Sequence, residues 1–125
     1  MIDQSLNGQW TIVNITVNKA DWKWKNDHYE YVAALPELTE NIFKEGAVLG
    51  YIVNDQDMSQ KPLPYINTYV ATVNGQNVTF SETIDYDVQY RPNKESNVLF
   101  TIKDSDLAND PNAPQTYKFK IVLIW

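Results

Sequence analysis

The chain has no cysteine and a single histidine. The first absence excludes disulfides, thiolate metal sites and cysteine nucleophiles. The second leaves His28 without the partners that a catalytic triad or a histidine metal site requires. No serine lies near it in sequence, and a turn histidine beside Asp27 is ordinarily a solvated residue. No apolar run approaches the length of a membrane span. Basic residues are scarce and dispersed: ten Lys and Arg stand against sixteen Asp and Glu, for a net charge of −6. Nucleic-acid binding needs a basic face to meet the phosphate backbone, so that class of partner is excluded. The acids are scattered too, which reads as a solvated, solubilising surface. There is no internal repeat and no linker, so residues 1–125 form one domain.

What the chain does have is aromatic residues. They make up 13% of it, with eight Tyr and four Trp, inside an apolar fraction of 43%. Large flat rings bury much area per residue and favour strands. The C-terminal run Tyr117-Lys-Phe-Lys-Ile-Val-Leu-Ile-Trp125 is the clearest strand. Tyr117, Phe119, Ile121, Leu123 and Trp125 share one face. The other face starts wet at Lys118 and Lys120 and turns apolar at Val122 and Ile124. A strand passing from a rim into the middle of a packed domain reads this way.

Other segments agree. Gln9 to Val17 is β-branched and strand-like, with an apolar parity that slips at Asn14 from Trp10 and Ile12 to Ile15 and Val17. A bulge, or passage between two layers, is the expected cause. Asp21 to Val32 reads as a hairpin about Lys25-Asn26-Asp27-His28. Its register sets Trp24 opposite Tyr29, Trp22 opposite Tyr31, and Lys23 opposite Glu30 as an ion pair. Pro36 to Gly46 is the one helical candidate, with Leu38, Ile42 and Phe43 on its apolar stripe, Thr39 at its first turn and a left-handed Gly46 at its end. Ala47 to Val53 is an interior strand, and Lys61-Pro62-Leu63-Pro64 is a rim segment. Asn74-Gly75 marks a type I′ turn that pairs Ala71 with Val78 and Tyr69 with Phe80. Ile84 to Tyr90 alternates, and Val98, Phe100 and Ile102 form another inward set. The expected fold is an all-β antiparallel β-sandwich, Greek-key or jelly-roll-like, with one short helix.

A further pattern runs from Asp21-Trp22 through Tyr29 and Tyr31 to Leu35-Pro36-Glu37-Leu38-Thr39, Ile42, Gly46-Ala47-Val48 and Tyr51. It continues at Leu63-Pro64-Tyr65 and at Tyr117, Phe119, Ile121 and Val122. This resembles small exported, often lipid-anchored β-sandwich domains of Gram-negative gut anaerobes, a family without an assigned activity. The resemblance implies an extracytoplasmic location, in the periplasm or on the outer cell surface. It also implies a leader and an anchoring cysteine before Met1. Trp24 and Trp125 depart from the family pattern.

Candidate sites follow from chemistry. Trp22, Trp24 and Tyr29, with Tyr31, offer ring faces on which sugar C–H groups stack, and Asp27 and His28 lie beside them to bond hydroxyls. The same quartet also reads as one wall of the core. Asp104, Asp106 and Asp110, or Asp55 and Asp57, could offer oxygens to calcium, but without the ligand spacing of a dedicated loop; no metal and no cofactor is expected. Carboxylates are the only catalytic kit available, and none is singled out as a pair. The expectation is therefore a non-catalytic structural or interaction domain, which the resemblance implies is that of a surface or periplasmic lipoprotein. It would meet a protein partner through loops or an open sheet edge. The alternative is a carbohydrate-binding module using the 21–32 hairpin.

Overall fold

The computed structural model describes residues 8–125; the start Met1-Ile-Asp-Gln-Ser, read above as following a removed leader, lies outside the described residues. Among the described residues there are nine strands: β1 (Trp10–Val17), β2 (Lys23–Lys25), β3 (His28–Ala34), β4 (Ala47–Asn54), β5 (Ser59–Pro62), β6 (Tyr65–Val73), β7 (Gln76–Gln89), β8 (Asn97–Asp104) and β9 (Tyr117–Ile124). One short helix, α1 (Glu40–Glu45), precedes β4, and a 3-10 turn, Lys19–Asp21, precedes β2. The strands form a four-stranded sheet, β1-β9-β4-β5, and a five-stranded sheet, β2-β3-β8-β7-β6. Every pairing is antiparallel. The fold is an antiparallel β-sandwich, as the alternating patterns require. Among the described residues no helix is long and apolar enough to cross a membrane.

The two layers meet through rings and branched aliphatics. Phe100 of β8 stacks on Phe119 of β9 with centroids 4.0 Å apart and planes 11° from parallel. Val17, Leu35, Ile84, Val98, Ile102, Ile121 and Leu123 are fully buried around them. Each such side chain contributes about 1.5–3 kcal/mol relative to solvent exposure. Gly50 of β4 lets the Tyr86 ring lie against the backbone; a Cβ there would sit 3.0 Å from it. The Tyr86 hydroxyl then donates to the Val48 carbonyl at 3.0 Å and ties the sheets together.

The turns set the registers as expected. Asn74 and Gly75 have φ of 52° and 78°, the type I′ geometry, and Ala71 opposes Val78 while Tyr69 opposes Phe80. Lys61 and Pro62 lie on the edge strand β5. β7 runs unbroken for 14 residues, so the Ile84 to Tyr90 alternation continues the strand that carries Val78 and Phe80.

Five expectations are corrected. β1 has no bulge: its register to β9 runs straight from Trp10↔Ile124 to Val17↔Tyr117. Thr11, Val13, Ile15 and Val17 take the inward positions, so Trp10 and Ile12 face out. β9 lies inside its sheet, between β1 and β4, yet its second apolar face at Val122 and Ile124 looks outward rather than into a second packed layer. The helix starts at Glu40, not Pro36, because Leu38 N–H bonds Leu35 C=O and curls Pro36-Glu37 into a turn. Thr39 does cap it, accepting from Ile42 N–H at 3.3 Å. Six helical residues bury Ile42 alone, so Phe43 is exposed and stacks on Tyr90 instead. Gly46, finally, is extended (φ −107°) rather than left-handed. Glycine is needed there for space: a Cβ would lie 2.2 Å from the Ile124 carbonyl oxygen.

Candidate functional site

The 21–32 hairpin forms with the expected core register, Lys23↔Glu30, Trp24↔Tyr29 and Lys25↔His28. Asn26 takes a positive φ of 57° in the turn. The pairing stops at Lys23, because the 3-10 turn swings Trp22 away from Tyr31 and into the core. Trp22 is 6% exposed, meets Tyr117 and Phe119 edge-on, and donates its indole N–H to Gln115 C=O at 2.9 Å. Tyr31 instead pairs with Phe100 of β8. Trp24 and Tyr29 pack at 5.1 Å with planes 63° apart, a T-shaped pair that offers an edge rather than one flat surface. The Tyr29 hydroxyl donates to Asn109 Oδ1 of the loop before β9.

The polar residues of the hairpin form a charge network on the outer face. His28 Nδ1 lies 2.6 Å from Asp27 Oδ1, and Nε2 lies 2.9 Å from Glu30 Oε1. Two carboxylates on the two ring nitrogens require both to be donors, so the bond to Asp27, followed by that to Glu30, raises the imidazole pKa above 6.5. The same bond from His28 lowers the Asp27 pKa, with help from Lys103, 3.6 Å away. Glu30 thus serves His28; the expected ion pair with Lys23 is replaced by this contact.

Sequence reasoning missed two other groupings. The first is the outer face of the four-stranded sheet. The registers place Trp10, Ile124 and Ala47 in one row and Ile12, Val122 and Leu49 in the next. Trp10 is 67% exposed and Ile12 50%, and Leu49 and Ile124 are exposed beside them. Asn14, Lys120 and Tyr51 form the following row and make a polar rim, with the Lys120 ammonium 5.0 Å from the Tyr51 ring centroid. Contiguous apolar surface with a polar border marks contact sites. The signal was available in the apolar runs on both faces of β9 and β4.

The second is a carboxylate pair. Glu82 of β7 and Asp104 of β8 are direct cross-strand partners in positions that alternate with Ile84 and Ile102, so both face inward at one end of the core. Burial, then the charge of Asp104, raises the Glu82 pKa to about 7. Burial also raises Asp104, whose Oδ2 accepts from the Tyr69 hydroxyl at 3.3 Å while its Oδ1 is buried without a partner among the described residues. Burial pushes the Tyr69 and Tyr117 hydroxyls up to about 12. The neighbouring cleft, about 330 Å³, is lined by Asp104 together with outward-facing Thr83, Asp85, Thr101 and Lys103, and Glu82 does not line it. Among the described residues no three His, Asp or Glu side chains gather in a way that could hold a metal ion.

No protein-family model matches the chain, and no curated protein or solved structure does either.

Proposed function

We propose that this domain acts by contact with another protein, without chemistry of its own, and that its contact surface is the outer face of the four-stranded sheet. One observation carries the reading: Trp10, Ile12, Leu49 and Ile124 are exposed together in two adjoining register rows. Leaving such side chains in water forgoes the burial energy that the opposite face of the same strands gains, and a partner recovers it. Aromatic and branched aliphatic residues inside a polar rim have the composition of an interface centre. The extracytoplasmic, lipid-anchored setting belongs to this proposal and rests on the family resemblance; a leader with a lipobox cysteine in the full-length gene would support it.

A sugar-binding hairpin has less in its favour, because Trp22 is in the core and Trp24 and Tyr29 are T-shaped. The experiment compares the wild type with the double variant Ile12→Asp, Leu49→Asp in photo-crosslinking within native envelopes. The expected result is a discrete crosslinked protein that disappears in the variant while the circular dichroism spectrum stays unchanged. A crosslink indifferent to both substitutions, or glycan-array binding abolished by Trp24→Ala, overturns the reading.

A further inference from the structure

Among the described residues the two sheets end on four edge strands, and these edges are not alike. β2 is three residues with two lysines, and β5 is four residues carrying Lys61 and Pro62. Short length, lysine and proline are the devices by which proteins prevent edge-to-edge pairing. β6 has none of them. It runs nine residues, Tyr-Ile-Asn-Thr-Tyr-Val-Ala-Thr-Val, with no charge and no proline, and its register to β7 is unbroken. The stretch Tyr65–Ser81, which includes the whole hairpin tip, contains no Asp, Glu, Lys, Arg or His.

The end of this hairpin is also short of neighbours. β8 pairs with β7 only from Glu82 onward, and Ser105 N–H bonds Ser81 C=O just beyond it, so Gln76–Phe80 has β6 as its sole ladder partner among the described residues. A two-stranded ribbon is marginal alone. The two-residue turn makes Val73 and Gln76 a hydrogen-bonded pair. By the antiparallel alternation, Ile66, Thr68, Val70 and Thr72 then turn their N–H and C=O groups to the open edge. All four side chains are β-branched and lie on the outer face, where Ile66 is 59% and Val70 63% exposed.

We propose that two copies of this chain pair antiparallel along β6 about a two-fold axis, making one ten-stranded sheet from two five-stranded ones. Pairing centred on Tyr69 sets Ile66 opposite Thr72 of the second copy and Thr68 opposite Val70. Each is a pair of β-branched residues, which stabilises cross-strand contact. Charge selects a second copy as the occupant. Two chains of net charge −6 repel, so they can approach closely only where each is uncharged. The edge carries no charge to steer or register a charged foreign strand, whereas a second copy brings the same uncharged, β-branched row. The contact uses the same patch on both copies and therefore closes at two. β1 is also long and uncharged, but pairing β1 to β6 joins unlike edges and would generate open chains.

The test is sedimentation equilibrium of the full chain across a concentration series, alongside hydrogen exchange at low and high protein. The expected species is a dimer of twice 14.5 kDa, 29.0 kDa, with exchange at Ile66, Thr68, Val70 and Thr72 slowing as concentration rises. Val70→Lys should abolish the dimer with its circular dichroism spectrum unchanged, and Val70→Thr should retain it. A wild type that stays monomeric into the high micromolar range overturns the proposal. So does a dimer that survives Val70→Lys, or one without concentration-dependent protection on β6. The exchange readout needs no variant, so the test stands even if Val70→Lys fails to fold.

Discussion

Replacing Glu82 with glutamine should stabilise the protein above neutral pH and do nothing in acid. The carboxyl faces inward opposite Asp104, and its pKa rises from 4.5 to about 7. The fold therefore holds the Glu82 proton more tightly than the unfolded chain does. The corresponding stability is complete below about pH 4.5 and is lost as pH climbs through about 7, where the fold must accommodate a charge it disfavours. At about 1.4 kcal/mol per tenfold change, the rise corresponds to a ceiling of about 3 kcal/mol. Glu82 is only half-buried, so solvent screening reduces the expected penalty to about 1–2 kcal/mol. Glutamine keeps the shape and removes the charge. Urea unfolding followed by tryptophan fluorescence, at about pH 8 and about pH 4.5, should show Glu82→Gln more stable by that amount in the first condition and equal in the second. The wild type and variant otherwise carry the same titrating groups, so their difference reports Glu82 together with its coupling to Asp104. A variant no more stable at the higher pH, or equally favoured at both, would refute the reasoning.

The His28 ring can be followed by NMR without assignment, being the sole histidine: it should titrate above 6.5, and Asp27→Asn should lower its midpoint. Because that pKa is raised in the fold, the stabilisation it supplies is present below about pH 6.5 and disappears as pH rises through the folded value. Gly46→Ala should cost more than the ~1 kcal/mol that a left-handed position would charge, and Gly46→Asn should give no rescue, since the Ile124 carbonyl fills the space; chemical denaturation of both variants decides it. Phe119→Ala should cost about 3–5 kcal/mol by opening a cavity beneath Phe100, whereas Ile12→Thr on the exposed face should move stability by under about 0.5 kcal/mol. Comparable losses from these two would mean that the sides of β1 are misassigned.

Local chemistry was legible where a turn fixes the register. Asn74-Gly75 dictates Tyr69 against Phe80, and the Asn26-Asp27 turn dictates Trp24 against Tyr29, so both hairpins could be paired from sequence. Sidedness was not legible where both faces are apolar. Trp10, Ile12, Val122 and Ile124 carry no polar alternation to say which side is wet, and an apolar run suits a contact face as well as an interior strand. The acid pair was hidden for another reason. Glu82 lies where two strand segments seemed to join, and only the unbroken length of β7 gives it the inward parity of Ile84. Buried Trp22 packs on Tyr117 and Phe119 and bonds Gln115, 93 positions away, partners that no local pattern announces.

The place of β9 between β1 and β4 has a kinetic consequence. Both of its neighbours are remote in sequence, with Trp10 meeting Ile124 and Ala47 meeting the same residue from the other side. Until residues 117–124 arrive, β1 has no ladder partner and the β4–β5 pair has nothing to join it to β1, so the four-stranded half of the sandwich cannot assemble. Loop closure over such separations is entropically slow, so this insertion is the expected rate-limiting event in folding. The β6–β7 hairpin, by contrast, can zip from its own turn while the rest of the chain is still searching.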